Sequence, residues 1–513
     1  MEHKLSTGEI VFRAEHIRLA ARLAIFDVSL AGTGGFVHGR LVPFSATRAL
    51  VAGEHKTILE AWRPEHPCWI AVLYNGDLSR RPHLFSRRRF LQTGSIAAGV
   101  GVVLPSLAQS AEDDRALPAS VAALKSLRDQ AKPISIDERR ARREKARELM
   151  RANKHSAILL TEGTSLNYFT GIRWWGGERL FTMVLPAKGE SFYVCPAFEE
   201  GRAREQIAKS PDGNNPDVRV WQENENPYQH VAQGLRDRGI AGGTVGIEET
   251  VKFVFSDNLR KAASGATFAS ATPVTAGCRM IKSPHEIELM RLASKVTLAA
   301  YEATYRALKL GMTQHDVADL VERAHRQLGF EGDALVLLGE FSAFPHGSVA
   351  PQFIREGTIV LIDGGCTVEG YASDITRTFV LGKASDKMKQ VFDIVHRAQS
   401  AALAAAKPGA ECGSVDDAAR KIVTDGGYGP DYKYFTHRLG HGMGMDGHEW
   451  PYLVRGNTKK LEPGMTTSNE PGIYMRGEFG VRLEDDMHIT EGGAELFTPQ
   501  SRSLEEPFGQ ATA

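Results

Sequence analysis

Carboxylates stand in this chain where the surrounding pattern asks for apolar side chains. Asp363 closes the run Thr358-Ile-Val-Leu-Ile362, and Asp374 opens Ile375-Thr-Arg-Thr-Phe-Val380, two strand-like segments. Glu470 lies in Asn469-Glu-Pro-Gly-Ile-Tyr474 and Glu484 in Val481-Arg-Leu-Glu-Asp-Asp486. His441 sits in the glycine-rich stretch His437-Arg-Leu-Gly-His-Gly-Met-Gly444. A lone carboxylate inside a sheet is costly unless it is paired or binds a cation. Four carboxylates and an imidazole meeting in one place would repel each other without one. The five residues are therefore read as one site for two divalent cations, because so many acids would overcharge a single ion.

The segments around them form an α+β unit over roughly 284–500. Ser283-Pro-His-Glu286 offers a cap, a proline suited to the first helical turn and the closing Glu286 of a capping box. Ile287, Met290, Ala293 and Val296 then mark one face of a long helix. Thr313 and Asp316 start another, a third runs from Ser385 to Pro408-Gly409, and Ser414 begins the next. Strands are expected around 358–363 and 375–381, and the end of the chain is strand-rich. Gly364-Gly365 and Glu369-Gly370 suit a turn between antiparallel strands that would set Asp363 beside Asp374. Upstream, Ser135 and Glu138 cap a charged helix reaching about Asn153. Short apolar runs at 157–161, 181–185, 192–195, 218–221 and 244–247 alternate with helical stretches, which argues a smaller α/β domain over 135–275. A length of 513 residues suits more than one core.

Basic and acidic residues balance at 62 each, so no charge excess recommends nucleic acid or an acidic lipid surface as partner. Five cysteines without a CxxC pair indicate neither a disulfide framework nor a thiolate zinc site. Cys366 lies near Asp363 but has no base assigned to activate it, and reads as a small buried residue. Residues 112–134 are polar and proline-punctuated, as a linker would be. Before them, Ser86-Arg-Arg-Arg-Phe-Leu-Gln92 and the mildly apolar 94–108 have the parts of an export signal. The apolar part is shorter than the ~20 residues of a membrane span, so no stable membrane anchor is expected. The arginines before Phe90 resemble a twin-arginine signal over 86–111. That implies delivery by the twin-arginine export machinery to the periplasm or beyond, or a cytoplasmic protein if the signal does not function. Residues 1–85 carry no usable motif and are expected to be a spurious or disordered extension from an over-long start-site assignment.

His437 and His441 have helical spacing, but Gly440, Gly442 and Gly444 argue for an extended, close-packed segment. His346 in Phe344-Pro-His-Gly347 and His448 in Gly447-His-Glu-Trp450 add groups for proton transfer or for hydrogen bonding to a developing charge. Singly, each is an ordinary structural histidine; only the combination has weight. Oxygen ligands with one imidazole and no thiolate suit Mn²⁺, Zn²⁺, Co²⁺ or Fe²⁺ rather than a structural zinc.

Asp363-Gly-Gly-Cys366 with Tyr371-Ala-Ser-Asp-Ile-Thr-Arg-Thr-Phe379, the 437–444 stretch with His448-Glu449, Glu470-Pro-Gly-Ile-Tyr474 and Val481-Arg-Leu-Glu-Asp485 together resemble the pita-bread metallopeptidases. The branch is that of aminopeptidase P, prolidase and creatinase. Asn167-Tyr-Phe-Thr-Gly-Ile172 is similar to that branch's N-terminal domain, so the likeness covers roughly 135–500. It implies an α+β pita-bread catalytic domain preceded by a smaller creatinase-type α/β domain, in a homodimer. It implies that Asp363 chelates one metal, that His441 and Glu470 hold the other, and that Asp374 and Glu484 bridge both, with manganese the first expectation. A hydroxide between the metals would attack the scissile carbonyl of a peptide with proline in second position. Glu470 also matches a proton shuttle, and His346, His437 and His448 match substrate-contacting positions. Arg482 matches an arginine that orients the bridging glutamate.

Creatinase works without metal and lacks the full ligand set, whereas all five ligands stand here. Relatives with a degraded site are disfavoured on the same ground. A metal-dependent hydrolase or lyase of a small non-peptide compound stays as the alternative. Xaa-Pro aminopeptidase and Xaa-Pro dipeptidase differ in that the second needs a cation for the proline carboxylate. Arg455 lies near the position where prolidases carry one, and a solvated loop arginine is an equal reading. Trp174 and Trp175 are expected either to wall the pocket, their own or a partner subunit's, or to pack in a core.

Overall fold

The computed structural model describes residues 116–213 and 215–509, with five short strands between residues 26 and 74. The expected signal segment, 86–111, lies outside the described residues. The chain divides into two units, 1–110 and 111–513. In the first, β1 (Phe26–Ser29) pairs with β2 (Phe36–Gly39), and β3 (Thr47–Ala52), β4 (Lys56–Ala61) and β5 (Ile70–Tyr74) form an antiparallel sheet.

The second unit opens with an α/β domain. Its first helix, Ile136–Ala152, starts as the sequence dictates: Ser135 accepts the Glu138 N–H, and the Glu138 carboxylate accepts the Ser135 N–H at 2.7 Å. The helix covers a mixed six-stranded sheet ordered β11-β10-β6-β7-β8-β9. These strands are β6 (Ala157–Leu160), β7 (Thr182–Pro186), β8 (Phe192–Pro196), β9 (Asp217–Trp221), β10 (Thr244–Ile247) and β11 (Thr267–Ser270). Side chains alternate between its faces. Ile158, Leu160, Met183, Leu185 and Tyr193 join Ala146 and Met150 in one core. Leu159, Val184, Phe192, Val194 and Val245 join Val231, Leu235, Phe255 and Leu259 in the other. Edge strand β11 has no forerunner in the sequence reading, because Thr267-Phe-Ala-Ser270 is mostly exposed and carries little apolar signal.

Residues expected to form a linker are docked instead. Val121 is buried against the helix Pro284–Tyr305, and Ser120 Oγ donates to Ala303 O at 2.7 Å. This helix and Gln314–Gln327 start at capping boxes on Ser283 and Thr313. Both back a sheet of β12 (Gly332–Leu338), β13 (Thr358–Val368), β14 (Tyr371–Ala372) and β15 (Ile375–Leu381). The helices Asp386–Ala405 and Cys412–Val423 share a core with a five-stranded sheet ordered β17-β16-β18-β21-β22 and the hairpin β19–β20. Those strands are β16 (Gly440–Gly442), β17 (Glu449–Leu453), β18 (Thr466–Asn469), β19 (Gly472–Met475), β20 (Phe479–Arg482), β21 (Asp485–Thr490) and β22 (Gly493–Leu496). No helix of the described residues is long and apolar enough to cross a membrane.

Two local expectations are corrected. The fourth catalytic-domain helix begins at Cys412, not at Ser414, whose hydroxyl bonds back to Glu411 O at 2.7 Å. The first helical N–H groups, of Cys412 and Gly413, are taken by Lys459 O and Asn457 O, each at 2.8 Å, so a distant loop caps this helix. The turn after Asp363 is made by Glu369 (φ 51°) and Gly370 (φ 92°) alone. Gly364 and Gly365 lie within β13, where a Cβ on Gly365 would stand 1.9 Å from Ser373 O. Their smallness lets the approach to Asp374 press against the strand of Asp363.

Candidate metal centre

The four acids and the imidazole come from five different places on or beside these sheets, and the fold brings them together. Asp363 lies in β13 opposite Thr376 of β15, and Asp374 immediately precedes β15. His441 is the middle residue of the three-residue β16, flanked by glycines that a Cβ could not replace. A Cβ at Gly440 would meet Ser468 O at 2.2 Å, and one at Gly442 would meet Trp450 at 2.3 Å. Glu470 follows β18, and Glu484 joins β20 to β21. The ligand atoms of Asp363, Asp374 and Glu484 lie within 4.8 Å of one another, and so do those of His441, Glu470 and Glu484. Glu484 thus belongs to both triads. Asp374 reaches the second side too, with Oδ2 at 3.7 Å from His441 Nε2.

Hydrogen bonds fix the orientation of these side chains. His441 Nδ1 donates to Gly442 O at 3.1 Å, leaving Nε2 as the lone-pair nitrogen, 3.3 Å from Glu470 Oε1. Ser468 Oγ accepts the His441 N–H at 3.1 Å and donates to Glu470 Oε1 at 3.2 Å. Asp486 accepts the backbone N–H of Asp374 at 3.0 Å and the Ser294 hydroxyl at 3.1 Å. Buried Arg377 bonds Asp485 at 2.6 Å, tying the strand after Asp374 to the strand after Glu484. Arg482 pairs with Asp363, donates to Tyr474 Oη at 3.0 Å and to Pro345 O at 3.1 Å, and also contacts Thr376. The Thr376 hydroxyl lies 2.6 Å from both Asp363 Oδ1 and Glu484 Oε2. It has one proton for two carboxylates, so these acids are short of positive charge as they stand.

The titration of the cluster expresses the same shortage. Burial, and then Asp363, Asp486 and Glu470, push the Asp374 carboxyl well above the usual range. Burial, and then Asp374, Glu470 and Asp363, do the same to Glu484. Burial raises Glu470 to about 8, against the opposing pull of Arg482. Asp363 escapes: burial pushes it up, but Arg482 and Thr376 hold it below its ordinary value. Burial pulls His441 down to about 3, keeping it neutral as a ligand must be. Oxygen donors in excess, one neutral imidazole and no thiolate fit two divalent cations.

The other expected residues ring this cluster. His437 Nδ1 faces Arg438 O at 2.8 Å and Nε2 faces Tyr474 Oη at 2.7 Å, and burial lowers its pKa to about 3. His448 stacks on His441 with ring centroids 3.6 Å apart and is exposed. His346 is exposed on the loop after β12, near enough for its charge to bear on both His437 and His448. Arg455 is not at the centre: it pairs with Asp417 and Asp431 on the surface. Trp174 stacks on Phe181 at 3.9 Å in the first domain's core, whereas Trp175 is exposed. Cys366 is buried, its thiol pushed up to about 11 by burial, and hydrogen-bonded to Ala293 O. Thr376, Tyr474, Ser468 and Asp486 escaped the sequence reading, since each acts through partners distant in the chain.

The α/β domain grips the centre from outside. Arg279 pairs with Asp446 and Glu449, and Lys282 bonds Glu449 at 2.6 Å, holding both ends of the loop that carries His448. Arg142 and Glu286 each bond the Tyr371 hydroxyl at 2.7 Å, three residues before Asp374.

Comparison with known proteins agrees with this architecture. Residues 288–491 match the model of metallopeptidase family M24, and residues 142–281 match the creatinase/prolidase N-terminal domain. An Xaa-Pro dipeptidase of Lactobacillus delbrueckii subsp. lactis is 33% identical over 369 residues, covering 70% of this chain and 97% of the relative. Among solved structures, dipeptidase PepE of Mycobacterium ulcerans is 33% identical with a TM-score of 0.67, over 72% of this chain and 97% of that one. A prolidase of Thermococcus sibiricus is 30% identical with a TM-score of 0.65, over 72% and 98% of the two chains.

Proposed function

Because the chain belongs to metallopeptidase family M24, we propose that it hydrolyses the peptide bond preceding proline, as an Xaa-Pro peptidase. The observation that carries this reading is the pair of ligand triads sharing Glu484. Asp363, Asp374 and Glu484 would hold one divalent cation, and His441, Glu470 and the shared acids the other, with manganese the first choice. Such cations, when bound, polarise the carbonyl and lower the pKa of water. The chain's own groups do the rest. Glu470, beside His441 Nε2, would take a proton from water and pass it to the departing proline nitrogen. His346 and His448 offer N–H groups to the carbonyl oxygen as charge develops there, while neutral His437 gives its Nδ1–H to Arg438 O and accepts the Tyr474 hydroxyl at Nε2. Arg482 holds Asp363 directly and reaches Glu484 through the Thr376 hydroxyl.

The test is turnover of Xaa-Pro dipeptides and longer Xaa-Pro peptides by chelator-treated protein resupplied with Mn²⁺, Co²⁺ or Zn²⁺. Metal-dependent release of the residue before proline is expected; inert dipeptides and peptides under all three ions would overturn the reading. A homodimer is proposed as well, supported by exposed Trp175 on a loop and exposed Phe253 at the start of the helix Phe253–Ala262, segments joined by the Lys252–Gly177 bond. Export through a twin-arginine route is proposed on the Ser86–Gln92 motif. A mature N-terminus near Gln109 or Glu112 is the expected result of sequencing the exported protein, and an intact Met1 would refute it.

A further inference from the structure

A second convergence of like charge involves none of the metal-binding side chains. A cavity of about 460 Å³ opens where three parts of the chain meet. They are the short turn Arg128–Gln130 ahead of the α/β domain, the loop after that domain's helix Thr164–Thr170, and the catalytic domain at 326–331 and 367–370. Each contributes one guanidinium to the wall, from Arg128, Arg173 and Arg326. Arg128 and Arg173 have no carboxylate within ion-pair distance among the described residues. Arg326 pairs only with Glu322 of its own helix, at 3.1 Å. Glu331 and Glu369 also line the cavity, but neither pairs with any of the three, so guanidinium is in excess. The fold fixes these positions. Arg128 donates to Gly329 O at 3.3 Å and lies over the Phe330 ring, its Cζ 5.6 Å from the centroid. Gln206 Oε1 accepts the Arg173 backbone N–H at 2.9 Å. A fourth guanidinium, of Arg139, packs on the Arg173 loop so closely that a Cβ at Gly171 would meet its Nε at 3.0 Å. That Nε is buried without a hydrogen-bond partner. Burial, then Arg142, with a smaller push from Arg173, pulls the Arg139 pKa down. Cations gathered this way repel one another until an anion joins them.

We propose that this cavity binds a small dianion, a phosphate group or a dicarboxylate, gripped by Arg128, Arg173 and Arg326. A guanidinium presents N–H donors in a fixed fork that meets such oxyanions two bonds at a time. The volume is in the range of small-molecule sites. The site stands apart from the Xaa-Pro reading and needs neither metal. Its occupant ties the segment ahead of the α/β domain, that domain and the catalytic domain to one charge. Glu369-Gly370 in its wall is the turn that leads through Tyr371 to Asp374, so the bound dianion braces the approach to a metal ligand.

The test titrates the metal-loaded full chain with inorganic phosphate and, separately, malonate in a calorimeter, at an ionic strength held constant with NaCl. Saturable binding of one dianion per chain is expected, with a melting temperature that rises as the site fills. The tighter of the two probes identifies the source of the charge. Arg173→Gln and Arg326→Gln, both at exposed positions, should each weaken binding by at least about tenfold, the scale of a charge-assisted hydrogen bond. Arg397→Gln, which removes an exposed guanidinium paired with Asp393 elsewhere, should leave it unchanged. Chelator-treated wild type should bind as tightly as the loaded protein, which separates this site from the metals. The assignment is overturned if neither anion binds saturably, if binding survives both Arg173→Gln and Arg326→Gln, or if it disappears with the metals.

Discussion

Asp374→Asn is expected to lose turnover by about 10³-fold or more, since losing cation-based charge stabilisation costs several kcal/mol and each 1.36 kcal/mol is tenfold. The fold should survive. The substitution is isosteric, and the backbone N–H that Asp486 accepts is untouched. Asp374 sits among Asp363, Asp486 and Glu470, all of which disfavour its ionised form. Replacing it with a neutral amide relieves that repulsion, so the metal-free variant should melt no lower than metal-free wild type. Metal content by atomic absorption and a thermal melt check both halves. Near-normal turnover with two metals retained would remove Asp374 from the ligand set.

Metal removal should abolish activity outright and leave a protein whose stability falls as pH rises. The sign follows from the direction of the shifts. Glu470 titrates near 8 in the folded protein against an ordinary 4.5, and Asp374 and Glu484 are raised as well. The folded state therefore holds protons that the unfolded chain releases. That contribution is fully present below the ordinary pKa near 4.5 and is lost as pH climbs through about 8. Asp363, held low, acts oppositely and only in acid. Cations compete with those protons, so the gap in melting temperature between loaded and metal-free protein should widen from pH 5 to pH 8. A gap that stays flat or narrows would show that the acids do not carry the deficit assigned to them.

The ligands were legible because each breaks a local pattern. An acid closing Thr358–Ile362 or opening Ile375–Val380 conflicts with strand burial, and only a shared cation resolves the conflict. Helix starts at Ser135, Ser283 and Thr313 were legible because their caps are contained within four residues. The Cys412 helix was misplaced because its cap comes from Asn457 and Lys459, over forty residues along the chain. Gly364-Gly365 looked like a turn because sequence does not say whether a glycine bends the chain or admits a neighbour. Thr376 and Tyr474 carry no such local signal in the sequence. Their importance lies in which side chains end up beside them, which neither propensity nor spacing encodes.

The cations Arg142, Arg279 and Lys282 lie before the catalytic domain begins, yet they anchor the segments that present Asp374 and His448. The boundary near residue 283 thus separates two sheets without separating the supports of the metal centre. A fragment cut there would keep every ligand while losing the fixtures that aim two active-site segments. Exchange of the first domain between relatives would transplant those fixtures too. Drift in substrate preference can therefore begin at positions that never approach the metals.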